Sequence, residues 1–204
     1  MEHPLFVVVD LLGTIAFAIS GATAATERRL DLFGVYAVAF VTACGGGIVR
    51  DLCLGATPPV AISDWRYLVC AAVASTLAIW AGPWVDRLKN PVAIFDSLGL
   101  GFFAVVGAHK AFVLSGHAET AVVLGTVSAV GGGVMRDVLL TRLPVVLAKE
   151  IYALAALVAA ILQVTADVTG WSRNLAPWFA IGVCLAIRLL AIRYAWGLPA
   201  VGRR

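Results

Sequence analysis

Gly45-Gly46-Gly47-Ile48-Val49-Arg50-Asp51 recurs 86 residues later as Gly131-Gly132-Gly133-Val134-Met135-Arg136-Asp137, each time inside an apolar stretch long enough to cross a bilayer. These residue types have two uses in a membrane. Glycine is the poorest helix former after proline, so three in succession near mid-span favour an opened backbone, whose freed carbonyls could face a dehydrated cation. Such an opening is tolerated only against protein or a water-filled path. The competing use is close helix packing, but that needs small residues one turn apart rather than in a run. The sequence therefore predicts two breaks lining a path, at Gly45, Gly46 and Gly47 and at Gly131, Gly132 and Gly133.

Arg50 and Arg136 lie about one turn past the glycines, where an isolated charge costs roughly 2.5–3.5 kcal/mol or more. Each needs a partner. Depth in the membrane points to Asp10 for Arg50 and Asp96 for Arg136, with the adjacent Asp51 and Asp137 as the other candidates. A gate and a structural clamp are both consistent with such a network. Lys110, near the end of the fourth span, has Ala24 at its repeat position and either snorkels to the headgroups or feels the membrane voltage. Arg188, deep in the last span, has no repeat counterpart and is expected to be paired structurally. Thr42, Thr126 and Ser128 flank the triplets; their hydroxyls either line the path or bond their own helix carbonyls.

The elements that must position these residues are membrane helices. Of the 204 residues 61% are hydrophobic and 13% charged, with mean hydropathy +0.96, against about 45–50% and about 25% in soluble domains. Seven stretches suit a helix of about 20 apolar residues: 5–26, 33–54, 65–84, 92–114, 119–140, 147–168 and 175–196. Trp65, Trp84, Trp171 and Trp196 fall at their ends, as interfacial aromatics do. Ungapped alignment of residues 10–60 with 96–146 matches Asp10/Asp96, Gly13/Gly99, Phe17/Phe103, Gly21/Gly107, Arg50/Arg136, Asp51/Asp137 and Pro58/Pro144 besides the triplets.

A unit of three spans has odd parity, so its second copy must enter from the opposite side. The expected architecture is an all-α membrane protein with an inverted three-plus-three repeat (1–85 and 86–168) and a seventh helix with a short tail (169–204), its second and fifth helices broken. Arg28, Arg29, Arg87, Lys89, Arg142, Lys149, Arg193, Arg203 and Arg204 gather on one face. The positive-inside rule then puts the N-terminus outside and the C-terminus in the cytoplasm.

A net charge of +3 with scattered basic residues gives no nucleic-acid footprint. Cys44, Cys53, Cys70 and Cys184 lack metal or disulfide spacing, and three scattered histidines make no metal cluster. No nucleophile with a nearby base, zinc motif or phosphate loop is present, so neither an enzyme nor a bound cofactor is expected.

With the paired motifs, the inverted repeat and the seventh span in place, nearly the whole chain resembles the prokaryotic members of the trimeric intracellular cation channel family. The resemblance implies a prokaryotic inner membrane and a homotrimer in membrane lipid with one pore per subunit, conducting monovalent cations, chiefly potassium, with sodium the other candidate. It implies that the second and fifth spans are kinked at the glycine triplets and line the pore, with Arg50, Asp51, Arg136 and Asp137 in the polar network beside them. Lys110 corresponds to a basic residue linked to voltage response in the animal members. Some bacterial relatives are labelled glycine transporters, so a small-amino-acid carrier built on the same repeat is the alternative.

Overall fold

The computed structural model describes residues 4–82, 87–148, 151–194 and 196. Among them are nine helices: α1 Pro4–Glu27, α2 Leu32–Cys53, α3 Val60–Ser63, α4 Trp65–Trp80, α5 Pro91–Ser115, α6 Ala118–Leu139, α7 Val145–Ala148, α8 Ile151–Thr169 and α9 Ala176–Arg193. Six are long and apolar enough to span a bilayer, and α4 is a shorter apolar helix of 16 residues. The third span is thus shorter than 65–84 as far as it is described; Trp84 lies outside the described residues. Leu147 lies in the short helix α7, and the sixth span is described over Ile151–Thr169, residues 149 and 150 lying outside the described residues.

The repeat is visible element by element, with α1 to α4 corresponding to α5 to α8 and α9 left over. α1 packs against α5, and α2 against α6; α4 rests on α1 and α2 as α8 rests on α5 and α6, while α9 covers α8 and α5. Both central contacts are antiparallel. A Cβ on Gly13 would touch Phe103, and one on Gly99 would overlap the Phe17 ring. Phe17 and Phe103 stack there with ring centroids 5.3 Å apart. Such reciprocal contacts between opposed helices are what an odd-span duplication demands.

The same reciprocity holds at the triplets, where one expectation fails. α2 and α6 run as uninterrupted α-helices through both runs of glycine. A Cβ on Gly46 would overlap the Ser128 carbonyl oxygen, and one on Gly132 the Thr42 carbonyl oxygen, while Gly131 meets the Gly46 Cα. The triplets are the point where two helix backbones cross in contact. The energetic reason is plain: each glycine costs helix about 1 kcal/mol against alanine, whereas a backbone group unsatisfied in hydrocarbon costs several. Close approach is the use that remains.

Both glycine-bearing helices end alike. Gly55 (φ 67°) and Thr141 (φ 52°) occupy repeat-related left-handed positions. The following N–H groups of Ala56 and Arg142 return to the carbonyls of Asp51 and Asp137 at 2.9 and 2.8 Å. The chain is thereby turned back, so that α3 and α7 sit beside the ends of α2 and α6. Asp64 then caps α4 through the Arg66 N–H at 3.0 Å, and the Arg66 guanidinium holds that partly exposed carboxyl below its ordinary range.

Candidate functional site: two inverted polar half-sites

The last turns of α2 and α6 carry the buried charges. In the first half-site Arg50 Nε donates to Asp51 Oδ1 at 2.9 Å, and both residues are buried. Lys110, from α5, donates to Asp51 Oδ2 at 3.1 Å, as does the Val60 N–H at the start of α3. Tyr67 of α4 donates its hydroxyl to Asp10 of α1.

In the second half-site Arg136 Nε donates to Asp137 Oδ1 at 2.9 Å. Its Nη1 donates to Asp96 Oδ1 at 2.6 Å and to Ser20 Oγ at 2.8 Å. Asp137 Oδ2 accepts the Val145 N–H of α7 at 3.0 Å, the counterpart of the Val60 contact. Gly133 opens onto this cluster: a Cβ there would stand 2.8 Å from the Tyr152 hydroxyl and 3.3 Å from Asp96 Oδ1. Buried ion pairs are tolerated when their remaining hydrogen-bonding capacity is met, and removing one partner is what costs most.

Both candidate carboxylates hold Arg136, the depth-matched Asp96 and the adjacent Asp137. For Arg50 the ion pair is with Asp51; Asp10 instead takes the Tyr67 hydroxyl and lines the same small cavity as Arg50. The adjacent pairing is the one both repeats share, Arg50 with Asp51 and Arg136 with Asp137, and Lys110 adds a second cation to Asp51 in the first half-site alone. Lys110 does not snorkel outward. Thr42 and Thr126 bond the carbonyls of Val38 and Val122 in their own helices, at 2.6 and 2.8 Å. Ser128 is buried at the crossing against Gly107. None of the three is among the residues lining the cavities described next.

One cavity, of about 350 Å³, leads to the first half-site past Phe6, His109 and Arg173 to Asp10, Tyr67 and Lys110. It continues beside Gly47, Arg50 and Asp51 as a space of only about 10 Å³. Another, of about 250 Å³, reaches the second half-site between Glu27, Asn90, Arg142, Asp96, Arg136 and Arg188. It shares no lining residue with the first. Between the half-sites lie the Phe17–Phe103 stack and the glycine crossing.

Sequence reasoning missed several participants, and one contact of a residue it did single out. Tyr67 and Tyr152 are repeat partners displaced by 85 rather than 86 residues, as are Val60 and Val145, so an alignment allowing one gap after Pro58/Pro144 would have found all four. His109, stacked on Phe6 at 3.6 Å and bonded to Asp167 at 3.0 Å, carried no motif. The missed contact is that of the Arg188 guanidinium over the Tyr152 ring, which no local pattern announces.

Comparison with known proteins agrees with this architecture. A family described as glycine transporter matches twice, over residues 7–83 and 93–167. The UPF0126 inner membrane protein YadS of Escherichia coli K12 is 39% identical over 193 residues, 94% of this chain and 93% of that one. A prokaryotic TRIC channel crystallised in 0.5 M KCl superposes with TM-score 0.88 at 32% identity, over 97% of this chain and all of the other. The TRIC trimeric intracellular cation channel orthologue from Rhodobacter sphaeroides gives TM-score 0.87 at 28% identity, covering 95% and 100%.

Proposed function

The chain belongs to the UPF0126 membrane proteins, the TRIC-like family that also bears the glycine transporter description, and from that premise we propose that it is a passive monovalent cation channel, chiefly for potassium, working as a homotrimer with one path in each subunit. The observation that carries this is the pair of cavities entering from opposite faces, each ending on a buried carboxylate–arginine network at repeat-related positions. Carboxylates at the narrow ends attract cations, and their arginines hold them in place and set how strongly. In this reading the path is shut where the two cavities fail to meet, at the glycine crossing and the aromatic stack. The N-terminal cavity faces outward and the arginine-rich face inward, across a prokaryotic inner membrane.

In this mechanism Lys110 is the moving part of the outer half-site. It shares Asp51 with Arg50, so a field that draws the Lys110 ammonium away leaves Asp51, still held by Arg50 and the Val60 N–H, with room to meet an entering cation. Moving one charge through the full membrane potential is worth about 2.3 kcal/mol per 100 mV. That is enough to bias one ion pair but not to rearrange the helices. The inner half-site, with Arg136 clamped between two aspartates and Ser20, is the more rigid of the two.

One observation favours the carrier alternative: the outer cavity presents Asp10 together with Lys110 and Arg173, complementary to a zwitterion. Reconstitution in planar bilayers separates the two. Discrete unitary potassium currents are expected; saturable glycine uptake in proteoliposomes without such currents would replace the channel by a carrier.

A further inference from the structure

The two half-sites contain the same repeated charges. Each has two carboxylates, Asp10 and Asp51 or Asp96 and Asp137, against one arginine, Arg50 or Arg136. Each repeated set is therefore one positive charge short of neutrality. Outside the sets, Glu27 is paired with Arg142, and Asp167 is bonded to His109 and Gln163.

In the first half-site the missing charge is Lys110. Symmetry would place its twin at position 24, but that residue is alanine, fully buried among Ala22, Ala25 and Ala39. A lysine has no room there. The cation near the second half-site comes instead from α9, the helix outside the repeat. Arg188 is 3% exposed, lines the second cavity with Asp96 and Arg136, and lies 4.7 Å over the Tyr152 ring. Its Nε has no hydrogen-bond partner among the described residues. A guanidinium so buried needs compensating negative charge nearby, and the contact shown for this one is the face of the ring.

We propose that α9 serves the second half-site through Arg188, which supplies the counter-charge that Lys110 supplies to the first, so that the two residues together set the balance of cation entry from the two faces. Removing either leaves one end of the path net negative, and a net negative vestibule concentrates cations on its own side. The effects of the two removals on current must then have opposite sign, whichever face is outward.

This rests on the channel reading, and the experiment keeps the two apart. Currents are recorded in excised patches, where all copies share one orientation. Relative to wild type, Lys110→Met and Arg188→Met should shift the ratio of currents at equal and opposite voltages in opposite directions, each by at least about twofold. Arg188→Lys should retain the wild-type ratio. A conducting wild type whose Arg188→Met variant keeps the wild-type ratio, or shifts it in the Lys110→Met direction, overturns the proposal. No wild-type cation current at all overturns the channel reading instead. If Arg188→Met does not assemble, the charge-compensated pair Arg188→Met with Asp137→Asn should assemble and show the wild-type ratio; failure of that pair also overturns the proposal.

Discussion

Within each glycine triplet the three positions have different surroundings, so alanine substitutions should have different consequences. At Gly46 a Cβ would overlap the Ser128 carbonyl oxygen, and at Gly132 the Thr42 carbonyl oxygen, both backbone atoms that cannot rotate away. At Gly47 the nearest atom is Arg50 Nη2 at 3.7 Å, an ordinary contact. At Gly182, in α9, nothing lies within 4 Å. Overpacking costs about 1–3 kcal/mol and occasionally more, and a backbone obstacle argues for the upper end. The recovered helix propensity returns at most about 1 kcal/mol. Gly46→Ala and Gly132→Ala should each therefore lose about 2 kcal/mol, roughly a 30-fold change in the folded ratio. Gly47→Ala and Gly182→Ala should be neutral or stabilising by up to about 1 kcal/mol. Equilibrium unfolding in mixed detergent micelles measures all four. If Gly46→Ala proves as stable as Gly47→Ala, α2 and α6 do not cross in backbone contact, and the account of the triplets fails.

Arg136→Ala should lose about 3–5 kcal/mol because it leaves Asp96 and Asp137 buried without their cation; adding Asp96→Ala should recover part of it, with coupling above about 0.5 kcal/mol in a double-mutant cycle. The cycle for Asp51 and Lys110 should show coupling of similar size, whereas strict additivity there would deny the 3.0 Å contact. Thr141 holds a left-handed backbone that glycine holds in the other repeat, so Thr141→Gly should stabilise by up to about 1 kcal/mol in the same unfolding assay. Sidedness is checked with an impermeant thiol reagent on intact cells: Glu2→Cys should label and Arg203→Cys should not, and the reverse pattern would invert the assignment of the two cavities.

The sequence by itself determined the architecture. Apolar runs state which segments must leave water, and the odd number of spans per repeat forces inversion before any contact is known. Duplication also singled out Asp10, Asp96, Arg50, Arg136, Asp51 and Asp137, because charges repeated at matching depth in hydrocarbon need partners. Tertiary structure decided what these residues do to one another. The glycines suggested an opened backbone from propensity alone, but propensity is local and small, while the penalty for unsatisfied backbone in lipid is large, so the helices stay closed and the triplets become a crossing. Arg50 pairs with the adjacent Asp51, as Arg136 does with Asp137, while Lys110, 59 residues away along the chain, converges on the same carboxylate. Arg188 met the second half-site because α9 packs on α5 and α8. Neither contact leaves a periodic trace, since pairings between distant helices depend on how their surfaces fit and not on the order of residues within either one.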